Sequence, residues 1–478
     1  MMRNLKVLLL SMVVIGLMAG SAHALTWTGN NQTVAIELVD PNTGLPLTQS
    51  VTQIQYRVDV ADLPYINGQT ISFTLINGTF QPGTAWNLRL WRIDGGGNHS
   101  IVANVFGVPS DNFVQFNVPA GSYADGDTLY VAYDGPIPGS GDPPRDVNLN
   151  LAGTVGVGDN FQVRVRSIAP LPGGTTLSTD NLYTTVAQFA AAQAGVGIRT
   201  VDIAKDLKRF TVPPDTEDGL QTRVIGSTTL TNTPPTIPVT DLTGATVTFT
   251  LEGPMRGIAT NGLTLRNAGG VSLGSFTIVG STATLTIPLT TALTSSYLQA
   301  NVDGTTPLAP RQIRLTSVTL NKGTSPQIKR DRALLPAAAV AFNWSLNGLA
   351  FRVSYLRDDP PLVTSVIRIE GVRETATRWF VWVTDNAGVE QVFPLTGLSV
   401  GPGQMRLISA ADILSAAATA GFTINRTGFG ATIVYDSKSL NFDDWNIYAT
   451  QYVAGGYRNL PVQLGFGPFF SGLFWWAW

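Results

Sequence analysis

Histidine anchors most hydrolytic triads and many zinc sites, and this sequence contains two, His23 and His99. His23 falls in a segment that reads as a cleaved leader, so any histidine chemistry must use His99. That residue stands in Asp94-Gly95-Gly96-Gly97-Asn98-His99-Ser100, a glycine-rich hairpin-turn sequence between two strand-like runs. A solvated turn histidine is the expectation there. Cysteine is absent, which excludes disulfides, thiolate metal sites and cysteine nucleophiles.

Carboxylates are the remaining reactive groups. Asp125, Asp127 and Asp134 lie on loops of the first third of the chain, with Asp142, Asp146 and Asp159 further on. Hard oxygen ligands on loops suit calcium, so Asp125, Asp127 and Asp134 are the candidate metal ligands. The twelve-residue calcium-loop spacing is missing, however, and Asp is also the ordinary turn residue between strands. Asp443 and Asp444 beside Trp445 offer a glycosidase-like pair, yet neighbours on a strand point to opposite faces and cannot share one bond. A surface turn is the better reading. The expectation is a protein that is not an enzyme, with no catalytic residue, no small-molecule substrate and no cofactor beyond calcium.

The elements that would position any site are strands. Short alternating runs bounded by Gly, Pro, Asn and Asp recur about every ten residues, as in Gln53–Val58, Thr70–Leu75 and Asn87–Trp91. Such runs predict an all-β chain of two or three tandem immunoglobulin-like β-sandwich modules joined by short helices. Leu182–Ala194 is Ala-rich, follows a potential Asp180 cap and ends at Gly195, which predicts a helix; Ala204–Phe210 adds a turn or two. Ala410–Ala420, stopped by Gly421, predicts another. Five blocks recur in order: Thr70–Leu75 with Thr246–Leu251, Asn87–Leu90 with Gly262–Leu265, Phe116–Pro119 with Leu285–Pro288, Val131–Gly135 with Ala300–Gly304, and Val147–Leu149 with Ile313–Leu315. They predict two copies of one module.

The resulting map has a leader over 1–24, a sandwich over 25–170, a partly helical linker over 171–214, a second sandwich over 215–345, a third over 346–463 and an apolar tail over 464–478. The leader is read from Arg3 and Lys6, the apolar run Val7–Met18 and the small-x-small site Ala22-His23-Ala24, and it predicts export with cleavage after Ala24. Basic and acidic residues nearly balance, 30 against 32, and charged residues make up 13% of the chain, about half the usual quarter. That balance gives no basic footprint for nucleic acid. The tail, LGFGPFFSGLFWWAW, has no side-chain charge and contains Phe466, Phe469, Phe470, Phe474, Trp475, Trp476 and Trp478. Aromatic anchors are where interface energy concentrates, so these seven are the candidate assembly interface. Their own domain's core and a membrane remain alternative destinations. Sequons at Asn31, Asn77, Asn98, Asn343 and Asn425 matter only in a host that glycosylates exported proteins.

In the last third, the order I-R-I (367–369), W-V-T-D-N-A-G (382–388), P-G-Q (402–404) and L-I-S-A-A-D-I (407–413) resembles a small β-sandwich module common in large exported bacterial surface proteins. The whole resembles a bacterial surface-layer (S-layer) or sheath subunit. The resemblance implies a structural protein that assembles with copies of itself on the cell envelope as a lattice or filament, often with calcium. An adhesin or carbohydrate-binding module is the alternative, with Trp27, Trp86 and Trp91 as candidate sugar-stacking residues. A coplanar row of exposed aromatics would favour that second reading.

Overall fold

The computed structural model describes residues 32–49, 55–57, 68–80, 88–105, 111–121, 124–133, 147–167, 175–211, 224–236, 238–384, 390–424, 428–439 and 441–466. The leader and most of the tail lie outside them. The chain forms two compact units, one from Met1–Phe189, Asn232–Ala245 and Lys322–Arg332, the other from Ala190–Thr231, Thr246–Asn321 and Ala333–Trp478. Nearly every described element is a strand, and the strands form sheets that share cores in sandwich fashion.

One sheet of the first unit has the strand order Gln32–Ala35, Thr175–Val186, Asn160–Ser167, Thr70–Ile76 and Phe113–Asn117. A sheet of the second unit runs Gly197–Val201, Ala339–Leu346, Arg311–Asn321, Thr246–Glu252 and Thr282–Pro288. Each begins with a parallel pair, Gln32–Ala35 on Tyr183–Val186 and Gly197–Val201 on Phe342–Leu346, and the pairs that follow are antiparallel. Phe73 faces Val165 as Phe249 faces Val318. The companion sheets correspond in four strands: Gln55–Arg57, Thr128–Tyr133, Leu88–Ile93 and His99–Asn104 in one, Val224–Asn232, Ser296–Val302, Ile258–Asn267 and Ser272–Ser275 in the other, which Phe189–Ala194 extends at its edge. The longer sheet also carries Thr277–Val279 beyond Thr282–Pro288 and Arg332–Ala333 beside Arg311–Asn321. One strand order thus occurs twice. The fifth sequence block is misplaced, because Arg311–Asn321 stands where Asn160–Ser167 does, whereas Val147–Leu151 belongs to a separate small sheet with Leu45–Gln49 and Gly78–Phe80.

The stretch predicted as a partly helical linker is largely strand. Leu182–Val186 completes the strand Thr175–Val186, and Phe189–Ala194 is the next one. Buried Phe189 and Ala191 alternate with exposed Ala190 and Ala192, so the alanines follow a period of two. Sheet packing overrides their helical propensity. Only the single 3-10 turn Ile203–Lys205, capped by Asp202, matches the expected helical content near Ala204. The later helix forms as predicted over Ala410–Thr419. Ser409 and Asp412 make a reciprocal capping box at its start, and Gly421, at φ +81°, takes the left-handed position just beyond its end.

Inside the first unit a carboxylate is fully buried. Glu37, with no exposed surface, accepts hydrogen bonds from the backbone N–H of Gln188 and Phe189 and pairs with Arg332 at 2.7 Å. Arg330, two residues earlier, donates to the carbonyls of Val39, Val155 and Gly153. Gln188 in turn bonds Asn232 and the N–H of Val239. All three segments of the unit therefore meet on one hydrogen-bonded network. Removing one partner of a buried ion pair strands the other. Glu37→Ala is expected to cost about 3–5 kcal/mol, read as a lowered denaturation midpoint of the unit containing it.

Candidate functional site

The third module, within the second unit, comprises two sheets around one core. One sheet runs Glu390–Pro394, Trp379–Thr384, Phe429–Tyr435, Leu349–Leu356 and Val462–Phe466. The other runs Asp358–Asp359, Val363–Gly371, Trp445–Val453 and Gly456–Leu460, with Met405–Ser409 also paired to Val363–Gly371. Phe351, Val381 and Ile433 from the first sheet meet Ile367, Ile369 and Ala449 from the second in a single cluster. At one end Tyr435 stacks on Trp379 at 4.6 Å and meets Trp445 edge-on at 4.8 Å. Burial pushes the Tyr435 hydroxyl's pKa well above its ordinary value.

The two outer faces differ. On the first sheet, Phe380, Trp382, Val392 and Val434 point away from the module's core yet are 4% exposed or less. On the second, alternation puts Tyr448, Tyr452, Arg368 and Glu370 outward, and there the face stays open. Tyr448 is 58% exposed, Tyr452 53%, Tyr457 71% and Leu407 58%. The register fixes their arrangement. Tyr452 pairs directly with Tyr457 across adjacent strands, and Leu407, Arg368 and Tyr448 form one row across three. Tyr448 and Tyr452, four residues apart on one face, are separated by roughly 13 Å. A loose Arg368–Glu370 contact at 3.7 Å provides opposite charges within the patch.

Beside Leu407 the face borders a groove of roughly 540 Å³ between the helix and the 394–398 loop, with Leu395, Leu398 and Ala416 in its walls and Asp412 and Ser415 on the helix side. Ile413 and Ala417 turn the other side of the helix into the core. The strand Val462–Phe466 crosses the expected boundary at 463/464. Phe466 pairs with Leu349 through the backbone, so the first residues of the tail belong to the module's own sheet. Phe469, Phe470, Phe474, Trp475, Trp476 and Trp478 lie outside the described residues.

Those of the other predicted residues that are described lie in separate places. His99 opens the strand His99–Asn104 and is exposed, with its Nδ1 2.7 Å from the Tyr130 hydroxyl. Burial raises the Tyr130 pKa, so that phenol keeps its proton, and Trp91 stacks on its ring at 6.3 Å. Trp91 is thus a core residue at 7% exposure, and Trp27 and Trp86 lie outside the described residues. The Asp94 carboxylate closes the preceding turn by accepting from the N–H of Asn98 and Gly96; these bonds, that of Asn98 foremost, hold its pKa below the usual range.

Asp125 is exposed, Asp134 is outside the described residues, and buried Asp127 faces Arg92 at 2.9 Å while accepting from the Ala124 N–H. Asp159 caps its own turn through the Gly156 N–H. Among the described residues no group of three or more His, Cys, Asp or Glu is placed to hold a metal ion. Asp443 and Asp444 sit on the 3-10 turn Phe442–Asp444; Asp443 is exposed, and Asp444 is buried with Ser439 donating to it. The face itself was missed in the sequence, although tyrosines at the water-facing positions of WNIYATQYV were a readable signal. Because Asp127 already has a guanidinium partner, Asp127→Ala should lower stability by about 1–3 kcal/mol equally with and without calcium, measured by thermal unfolding.

No family model matches the chain, and no curated protein matches it. Among solved structures it is similar to the C-terminal domain of the AgI/II polypeptide BspA of Streptococcus agalactiae, at 9% identity over 66% of this chain and 96% of that one, with a TM-score of 0.25. It is also similar to the T6 backbone pilin of serotype M6 Streptococcus pyogenes (10% identity, 83% and 95% coverage, TM-score 0.20). A third is the C-terminal domain of the antigen I/II-family protein AspA of Streptococcus pyogenes (7% identity, 58% and 99% coverage, TM-score 0.19). TM-scores of this size fall short of a shared fold, so the chain's own geometry has to carry its functional reading.

Proposed function

We propose that this is an exported structural protein of the cell surface that assembles with copies of itself, as a surface-layer, sheath or filament subunit does. The observation that carries the reading is the open face of the third module, where Tyr448, Tyr452, Tyr457 and Leu407 stand in water beside one another. Monomeric proteins rarely gather large exposed apolar side chains on one uncovered face, and tyrosine and arginine are the residues that interfaces favour. Low charge density across the chain lowers the desolvation cost of packing one face on another. The leader sequence supports export, and the repeated strand order supports a chain built from like modules. The reading invokes no catalytic step and needs no cofactor.

An adhesin that holds a glycan is the second reading, and one observation favours it: the facing pair Tyr452 and Tyr457 with Tyr448 further along the same surface. Rings presented side by side offer apolar area at low entropic cost, which suits the C–H faces of sugars as well as a protein partner.

The triple variant Tyr448→Ser/Tyr452→Ser/Tyr457→Ser separates the two. All three side chains are more than half exposed, so its melting temperature should stay close to the parent's. Light scattering is expected to show large assemblies in the parent and mostly monomers in the variant. Parent protein that stays monomeric at every concentration, and is retained on an insoluble polysaccharide through these tyrosines, would instead establish the adhesin reading.

A further inference from the structure

We infer that residues 467–478 of one copy dock in the groove between the helix and the 394–398 loop of a second copy, which makes the aromatic tail and this groove the two halves of a repeating contact. The inference rests on the self-assembly reading and names the surfaces it uses.

Sheet order carries the argument. In the third module Glu390–Pro394 and Val462–Phe466 are the opposite edge strands of one five-stranded sheet. The groove flanks the first edge, and the chain leaves the described structure from the second. Both points lie at the same end of the sheet. Phe466 pairs with Leu349, Leu349 with Tyr435 and Tyr435 with Trp379, while the next residue, Phe380, pairs with Pro394. A module that presents a donor on one edge and an acceptor on the other repeats side by side. Such a heterologous contact generates an open row unless its rotation closes it into a ring.

The two surfaces match in chemistry. Twelve residues follow Phe466, none with a side-chain charge and six of them Phe or Trp. The groove, at roughly 540 Å³, falls within the range of about 300–1,000 Å³ usual for ligand sites, and its lining is mixed: Leu395, Leu398, Leu407 and Ala416 offer apolar surface, while Thr396, Asp412, Ser415 and Thr419 make more than half of the exposed lining polar. Leu407, 58% exposed, is the apolar surface a ring would cover, and the oxygens of Asp412 and Ser415 suit indole N–H donors.

Reach favours a neighbour over the chain's own groove. Four strand spacings, about 19 Å, separate the two edges. A chain of twelve residues spans at most about 40 Å, so a tail returning to its own module would spend half its length crossing the sheet end before meeting the groove. A tail entering from the adjacent copy begins beside it.

The test uses the full chain and two lesions. Leu407→Arg/Ser415→Arg blocks the groove at two exposed positions, and a stop after Phe466 removes the tail. Each alone should raise the concentration needed for assembly at least about tenfold, as the loss of one hot-spot contact does, with the melting temperature of the groove variant unchanged. Mixed in equal amounts, the two variants retain one intact tail–groove pair between them and should associate below the concentration at which either does alone. Parent-like assembly by either variant overturns the inference while leaving self-assembly intact. So does a mixture that stays monomeric while tail removal lowers the melting temperature, because the tail then belongs to its own module. A parent chain that never assembles removes the self-assembly reading as well. Should Leu407→Arg/Ser415→Arg lose its fold, Ser415→Arg alone serves as the groove variant under the same criteria.

Discussion

A buried carboxylate tolerates no half measures, and Glu37 shows what one requires. Its charge lies entirely out of water, where an unpaired ion would cost several kcal/mol, and it is satisfied by one guanidinium and two backbone N–H groups from distant parts of the chain. Arg332 arrives from a segment roughly three hundred residues later, and its neighbour Arg330 spends its donors on three carbonyls that no strand ladder uses. Glu37, Arg330 and Arg332 find their partners only when the first and last segments of the unit are together, and the Gln188 side chain ties in the middle one. An apolar cluster of the same size would be more forgiving, since hydrocarbon packs in several ways and an ion pair with fixed donors does not. The first unit thus obtains a single arrangement of its segments at a point where strand pairing alone would leave a choice.

The third module obeys a different constraint, the two-residue period of a strand. Where both faces of a sheet are covered, as around Phe380, Trp382 and Val434, nearly every residue is apolar. Where one face is open, every second residue meets water and is free to vary. Tyrosine, leucine and methionine at those free positions do nothing for the module's core, because Ile367, Ile369 and Ala449 on the alternate positions already fill it. Apolar surface with no internal use is the mark of an external one. The same reasoning separates these residues from Trp91, whose ring is enclosed and stacked on Tyr130, and which no ligand can reach without opening the sheet.

How much of this was legible in the chain follows the physics of each signal. Alternation gave the all-β character and the recurring blocks, because burial on one face leaves a periodic trace in any strand. The Ala-rich run Ala410–Ala420 and its stop at Gly421 made that helix readable, and the capping box at Ser409 and Asp412 is the local contact that fixes its start. Leu182–Ala194 misled for the converse reason. Alanine carries a helical preference but little commitment, and its fate was decided by a sheet assembled from residues up to about 150 positions away. The fifth repeat block failed likewise, because short Val- and Leu-rich runs match at many offsets and only pairing identifies the right one. At the open face the signal lay in plain view: the tyrosines of WNIYATQYV occupy polar positions. Recognising them required knowing which of the strand's two sides was covered, and that is a property of the partner sheet.

The same dependence explains why the carboxylates of the loops are poor guides to chemistry here. Asp94, Asp159 and Asp303 each turn a carboxylate oxygen onto the backbone N–H groups of their own loop, and Asp127 faces Arg92. A carboxylate used in this way stabilises a turn and has fewer lone pairs left for a metal or a substrate. Such turns are abundant because a chain of many short strands needs many reversals. An acidic loop in a protein of this construction therefore signals a reversal first, and its residues become ligands only where several carboxylates face the same point without N–H or guanidinium partners of their own. The open tyrosine face meets the corresponding standard for a contact surface. Its rings are exposed and unnecessary to the core, whereas Asp94, Asp127, Asp159 and Asp303 are each already engaged by the fold.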